Sequence, residues 1–340
     1  MGSPARLSLP HALALGLAHG PTELLPISSS AHTILIPFLA GWPYAELDPE
    51  LRKSFEVALH AGTAAALLAD LRSVESHPGL GAVLQRFAGR RQDAIAAAPR
   101  PVGAVSGDTA TRTTATPQAG GSATGDSALP TPGPSDFPAR QALLVALSFI
   151  PPAIVGYTFE QPLQRRLSGP STIVAGLLLG GVAMALADAR APAGTRALSQ
   201  GSALDGLLLG VAQTFALIPG VSRSGAVLTA ARARGFSRAD SSTLARRTGL
   251  PVIIGAGALK TGRLLQRGAW REAPISGALL LGGATSFFST LAATRLLRGG
   301  RGARRATALW PYSLYRGGLA SLVVLRRARL LENERLTTQM

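Results

Sequence analysis

Residues 13–31 read LALGLAHGPTELLPISSSA, and residues 207–225 read LLLGVAQTFALIPGVSRSG. Set at one constant offset, they match at Leu13/Leu207, Leu15/Leu209, Gly16/Gly210, Ala18/Ala212, Ser28/Ser222 and Ser30/Ser224. Leucine and alanine matches carry little weight in an apolar chain; the shared glycine and two shared serines carry more. Each stretch is an apolar run that breaks at a proline, Pro26 or Pro219, and then ends in Ser-x-Ser. A full membrane span needs about 20 apolar residues. The pairs 7–20 with 24–41, and 203–219 with 224–235, are too short or too interrupted for that. Broken helices at membrane depth persist only where they are buried in protein or line a cavity. The pattern predicts two re-entrant helical hairpins facing a polar site, as in membrane proteins built from two repeats. The plainer reading is a pair of core helices joined by a turn.

Further apolar runs at 54–71, 139–158, 170–188, 244–266, 273–297 and 306–325 predict membrane helices around the hairpins, in an all-α polytopic membrane protein. Composition agrees: 46% of residues are hydrophobic and 15% charged, against about 25% charged in an average soluble domain. The net charge of +16 rests on arginine, since Lys53 and Lys260 are the only lysines. The arginines fall mainly between apolar runs, as they do in loops that fix topology and touch anionic lipid. The expected partner is therefore the bilayer and not nucleic acid. The absence of cysteine excludes disulfides, thiolate catalysis and Cys-ligated metals. Residues 72–138 are rich in Ser, Thr, Gly, Ala and Pro and predict a disordered loop. The chain divides accordingly into 1–71 with the first hairpin, the loop 72–138, and 139–340 with the remaining helices and the second hairpin.

Polar residues inside apolar runs mark the chemistry. An ionised acid at a helix centre costs about 2.5–3.5 kcal/mol, so Glu23 implies a cavity, a partner or a metal. His19 precedes it by one helical turn and shares its face. Ser28, Ser29 and Ser30 offer hydroxyls and turn N–H groups to phosphate oxygens. His32 follows as a candidate base, acid or nucleophile. In the second loop Ser222 and Ser224 flank Arg223, whose planar fork matches two phosphate oxygens. Glu56 reads equally as a further site acid and as a first-turn residue favoured by the helix dipole. Asp70, Asp188 and Asp205 lie at segment ends and are expected to be solvated. Arg232, Arg234, Arg238, Arg246 and Arg247 are expected at the surface.

Together the loops resemble the two signature motifs of the undecaprenyl-diphosphate phosphatase family, known also for bacitracin resistance. Residues 20–32, GPTELLPISSSAH, correspond to the first; residues 219–225, PGVSRSG, with Gln213 upstream, correspond to the second. Similarity extends to Phe55-Glu56-Val57 with Gly62, Ile150-Pro151 with Gly156, and Gly235 with Ser237-Arg238 before Pro251. It covers most of the chain outside 72–138. The resemblance implies a multi-pass protein of the bacterial inner membrane, with inverted repeats each contributing a re-entrant hairpin. It implies hydrolysis of a polyprenyl diphosphate lipid, undecaprenyl diphosphate, to the monophosphate with Mg²⁺ or Ca²⁺. By resemblance Glu23, Ser29, His32 and Arg223 are catalytic, with Glu23 also a metal ligand. Ser28, Ser30, Ser222, Ser224 and Gly225 surround the phosphates, and His19, Glu56 and Gln213 stand behind them. The nucleophile stays open between a serine and water. A polyprenyl-phosphate transporter or flippase, or a catalytically weakened homologue, is the alternative, because repeats with broken helices are also transporter architecture. The chain departs from the family in three places. His19 stands where the first of two paired acids is usual, Val227 where Thr is usual, and residues 244–250 replace an aromatic-rich run.

Overall fold

The computed structural model describes residues 7–75, 136–167, 169–191, 196–266, 277–299 and 308–338. They form ten α-helices. The first half holds α1 (Leu9–Leu24), α2 (Ser29–Ala40), α3 (Pro49–Glu75), α4 (Asp136–Leu167) and α5 (Pro170–Arg190). The second holds α6 (Ala203–Thr214), α7 (Arg223–Ala233), α8 (Arg238–Gln266), α9 (Gly277–Gly299) and α10 (Trp310–Thr338). Among the described residues there is no strand, only an isolated bridge between Arg196 and Phe236. The all-α expectation holds. Four residues of the expected loop 72–138 belong to α3 and three to α4; residues 76–135 lie outside the described residues.

Local sequence sets the breaks. Ser8 caps α1 by accepting the His11 N–H, and Pro10 fills a first-turn position where no N–H is needed. After the turn at Leu25–Ile27, Ser28 caps α2 by accepting from Ala31 N at 3.4 Å. The second pair repeats the design. Ser202 and Asp205 form a capping box on α6, a 3₁₀ turn at Phe215–Leu217 follows, and Ser222 caps α7 by accepting from Gly225 N at 3.2 Å. Ser28 and Ser222 thus do the same work at matched positions of the two repeats. In each loop the capping hydroxyl also bonds the serine two residues on, Ser28 to Ser30 at 3.3 Å and Ser222 to Ser224 at 3.1 Å.

Among the described residues three helices are long and apolar enough to cross a membrane: Ala139–Phe159, Pro170–Arg190 and Gly277–Leu297. Of the other long runs, 54–71 and 244–266 lie in helices of 27 and 29 residues, and the part of 306–325 from residue 310 lies in a helix of 29. These have the length but carry interior charge, including Glu56, Lys260 and Arg316. Exposure runs opposite to a water-soluble protein. Leu179 is 71% and Leu296 75% exposed, whereas Thr63, Ser286 and Thr290 are fully buried. Outward leucines suit lipid, and small hydroxyl residues suit contacts between membrane helices. Thr63 of α3 bonds Ser286 and Thr290 of α9 at 3.0 and 3.2 Å.

Three acids expected in solvent are buried instead. Asp70, Asp188 and Asp205 are at most 6% exposed. Asp188 accepts from Arg232 at 3.0 Å and Arg238 at 2.8 Å, and Asp205 accepts from Arg196 and Arg234 at 2.8 and 2.7 Å. Arg232, expected at the surface, is buried with Asp188; Arg246 and Arg247 are exposed as expected. A segment end in a helical bundle is not a solvent-facing end where neighbouring helices cover it.

Close helix contact generates a stability prediction. A Cβ on Gly62 of α3 would lie 2.2 Å from the Gly283 carbonyl oxygen of α9, and backbone does not give way. Gly62→Ala should destabilise the protein by about 1–3 kcal/mol, as over-packing does, and lower its unfolding midpoint in detergent. Gly262→Ala, with nothing within 4 Å of its Cβ, should leave the midpoint in place. Equal midpoints for both variants would remove the α3–α9 contact as a constraint.

Candidate active site

Helix α1 carries His19 and Glu23 on one face, and the turn after it returns the chain so that Ser29, the first residue of α2, donates to Glu23 Oε2. Ser28 holds φ at +72°, the one positive value at a non-glycine among the described residues. Such a backbone is strained by about 1–3 kcal/mol and is found where a site fixes it. His32 faces away from this pair. Its Nδ1 donates to the Ser28 carbonyl at 2.7 Å, and its Nε2 accepts from the Tyr315 hydroxyl at 2.7 Å. It braces the loop against α10.

The second hairpin brings Arg223, the first residue of α7, to the other side of Glu23. Nη2 lies 3.4 Å from Oε1, and the two side chains are 12% and 10% exposed. Arg223 Nε and Nη1 are buried with no hydrogen-bond partner among the described residues. Gly249 makes room for this guanidinium, since a Cβ there would sit 1.8 Å from Nη1. Ser224 ties the loops together by donating to the Leu25 carbonyl at 3.0 Å. Gly220 turns the chain with φ +97°, a conformation open to glycine.

Arg316 of α10 is the buried clamp behind both loops. It is 1% exposed and donates to four carbonyls: Gly176 at 3.0, Leu177 at 3.1, Gly220 at 3.0 and Pro26 at 3.4 Å. Neither Tyr315 nor Arg316 was expected from sequence. The signal was there, because an arginine inside the apolar run 306–325 carries the same insertion cost that singles out Glu23.

A cavity of about 1010 Å³ opens between the two loops. Glu23, Ser28, Ser29, Ser30, Glu56, Gln213, Ser222 and Arg223 line it, joined by His60 and Lys260; Trp42, Phe149, Leu217 and Val252 supply apolar wall. His19, His32, Ser224 and Gly225 stand behind the lining. Gln213 is fixed by donating to the Ser148 carbonyl at 3.1 Å. Among the described residues one group of histidine and acidic side chains is close enough to hold a metal ion. It comprises His19, Glu23 and His60, with one ligand atom from each within 4.8 Å of the others. A cation, a hydroxyl on a carboxylate and two helix N-termini around a half-apolar cavity are the parts needed to bind and cleave a phosphate ester or anhydride on an apolar carrier.

Comparison with known proteins agrees with this chemistry. Residues 12–322 match the model of the bacitracin resistance protein BacA family. A protein of Geobacter sulfurreducens named undecaprenyl-diphosphatase is 35% identical over 294 residues, 86% of this chain and 89% of that protein. One of the same name from Pelobacter propionicus is 33% identical over 325 residues, 94% of this chain and 98% of its own length. With both loops inside the matched region and nearly the whole of each relative covered, this chain belongs to the bacitracin resistance protein BacA family.

Proposed function

We propose that this multi-pass membrane protein is an undecaprenyl-diphosphatase of the inner membrane, which cleaves the terminal phosphate from undecaprenyl diphosphate and leaves the lipid monophosphate. The observation that carries the reading is Arg223, which presents two buried, unpartnered nitrogens beside a cavity lined by both polar and apolar side chains. The names of the relatives support the substrate; nothing comparable supports a transporter. Helices α2, α6 and α7 have 12, 12 and 11 residues. At 1.5 Å per residue they reach about 16–18 Å, well short of a bilayer core of about 30 Å. We read α1–α2 and α6–α7 as re-entrant hairpins for that reason.

In this reading the diphosphate enters between the loops while the isoprenoid tail lies along the apolar wall. Arg223 and the first-turn N–H groups of α2 and α7 hold the phosphate oxygens. Ser29 Oγ attacks the terminal phosphorus and its proton passes to Glu23, the carboxylate it already bonds. The bond from phosphorus to the bridging oxygen breaks, and the lipid monophosphate leaves. Water then hydrolyses the phosphoserine to inorganic phosphate. Arg223 offsets charge on the equatorial oxygens throughout. His32, bonded at both nitrogens, positions the Ser28 turn and transfers no proton in the reaction.

The family resemblance implies Mg²⁺ or Ca²⁺. Such ions take oxygen ligands, and of the three groups that converge, His19, Glu23 and His60, two are imidazoles. This donor set does not fit a hard cation, and no step above runs through one.

Arg223→Ala should lower phosphate release from undecaprenyl diphosphate in detergent by about 10²–10³-fold, the loss typical of one transition-state donor. Arg223→Lys should recover part of it. Gly249→Ala should also cut turnover, because the guanidinium must move away from the added Cβ. Near-normal turnover in Arg223→Ala would sink the clamp.

The proton assignment has its own test. Ser29→Ala should lose nearly all turnover, whereas His32→Gln should lose less than the about 10²–10⁴-fold that follows removal of a general base. Equal losses in a well-folded His32→Gln protein would return the proton to His32.

A further inference from the structure

The convergence of His19, Glu23 and His60 is joined by a second observation: both imidazoles are already held in the tautomer that a metal ligand needs. His60 Nδ1 lies 2.8 Å from the Glu56 carbonyl oxygen. A carbonyl only accepts, so the ring proton sits on Nδ1 and Nε2 keeps its lone pair. His19 Nδ1 lies 3.1 Å from Thr63 Oγ1 and 3.3 Å from Ser286 Oγ. Ser286 has one hydroxyl proton, and it goes to the Leu59 carbonyl at 2.8 Å. Ser286 Oγ is therefore an acceptor on the side of His19, and with the Thr63 proton directed to Thr290 at 3.2 Å a ring proton on Nδ1 satisfies both contacts. The two rings pack edge to face with centroids 4.9 Å apart.

Metal-bound histidines almost always donate their second nitrogen to a carbonyl, hydroxyl or carboxylate, which fixes the ring and its tautomer. Here the two second nitrogens are fixed from α3 and α9, before any ion binds. Glu23 gives one lone pair to Ser29 and one to Arg223, and an ionised carboxylate has about four. We infer that His19, Glu23 and His60 form a binding site for a transition-metal dication of the Zn²⁺ class, with both Nε2 atoms and the Glu23 carboxylate as ligands. Imidazole suits zinc, iron and nickel, whereas carboxylate and water alone suit magnesium and calcium. Two imidazoles and one carboxylate are a ligand set of zinc sites that leave a fourth position open. Glu23 and His60 line the cavity and give the ion a route in. Once bound, such an ion would supply positive charge beside the phosphate oxygens.

The site is tested by metal binding, independently of hydrolysis. The full chain in detergent is stripped with a chelator, loaded with Zn²⁺ or Co²⁺, gel-filtered and assayed for metal by mass spectrometry. The expected result is one Zn²⁺ per chain, not displaced by excess Mg²⁺, and visible d–d absorption from bound Co²⁺. His19→Gln and His60→Gln should each weaken Zn²⁺ binding at least about 100-fold, the upper range for loss of a mere supporting partner. His19→Glu should weaken Zn²⁺ and strengthen Mg²⁺ binding, since it trades a nitrogen ligand for oxygen. Zn²⁺ should also raise the unfolding midpoint of the wild type but not of His60→Gln, a comparison that needs no matched stability between them. Substoichiometric Zn²⁺ in the wild type, or an equal rise in midpoint with and without His60, would overturn the site. Phosphate release enters neither readout, so loss of the metal site and loss of the hydrolase reading are told apart.

Discussion

One ion pair holds the two halves of the chain in register for chemistry: Arg223 on Glu23, 3.4 Å apart across the two loops. Both side chains are about nine-tenths buried, so removing either partner strands a charge in a low-dielectric interior. For buried pairs that penalty is about 3–5 kcal/mol. The pair also links function to fold. Glu23 takes the Ser29 hydroxyl on its other oxygen, so a serine of the first repeat and an arginine of the second are positioned by one carboxylate. If the loops separate by a few ångströms, the guanidinium loses its anchor, while Ser29 keeps its bond to Glu23 within the first loop.

The two repeats supply this arrangement by using one local design twice. Ser28 and Ser222 are the caps, and the next residue, Ser29 or Arg223, is the first of a short helix in each case. Matched positions thus carry a candidate nucleophile in one repeat and a candidate phosphate clamp in the other. The same holds one helix earlier, where His19 and Gln213 are equivalent. His19 joins the hydroxyl web of α3 and α9, while Gln213 bonds the Ser148 carbonyl of α4. A helix start brings unsatisfied N–H groups that favour anions; the side chain at its first position decides what is done with the anion.

The helix breaks, their serine caps and the polar residues Glu23, Ser29 and Arg223 were legible in the sequence because each is local: a proline break, Ser-x-Ser, and charge within an apolar run. What failed to show was long-range. Nothing near Asp188 in the chain predicts Arg232 and Arg238 as its partners, since helix packing alone brings them together. His32 looks like a free base until Tyr315, far along the chain, is found on its Nε2. His60 reads as a span-starting residue beside Glu56 and gains meaning only when α3 packs against α1 and α9. Gly249 is silent until the guanidinium that occupies its missing side chain is seen.

Arg316 shows why hydropathy undercounts the membrane helices of such a protein. An arginine held by four carbonyls is satisfied without a carboxylate; two of them, Pro26 and Gly220, belong to the helix breaks, and two, Gly176 and Leu177, to α5. The broken backbone and the buried cation therefore each satisfy the other, and neither is stable alone in lipid. A helix that stabilises a break must carry polar groups, and so must one that lines the cavity. α3, α8 and α10 do these tasks and fall short as plain apolar spans, while α4, α5 and α9 contain the three stretches that qualify. The departures from ideal membrane helix lie where the polar loops need partners, which makes them a map of the site.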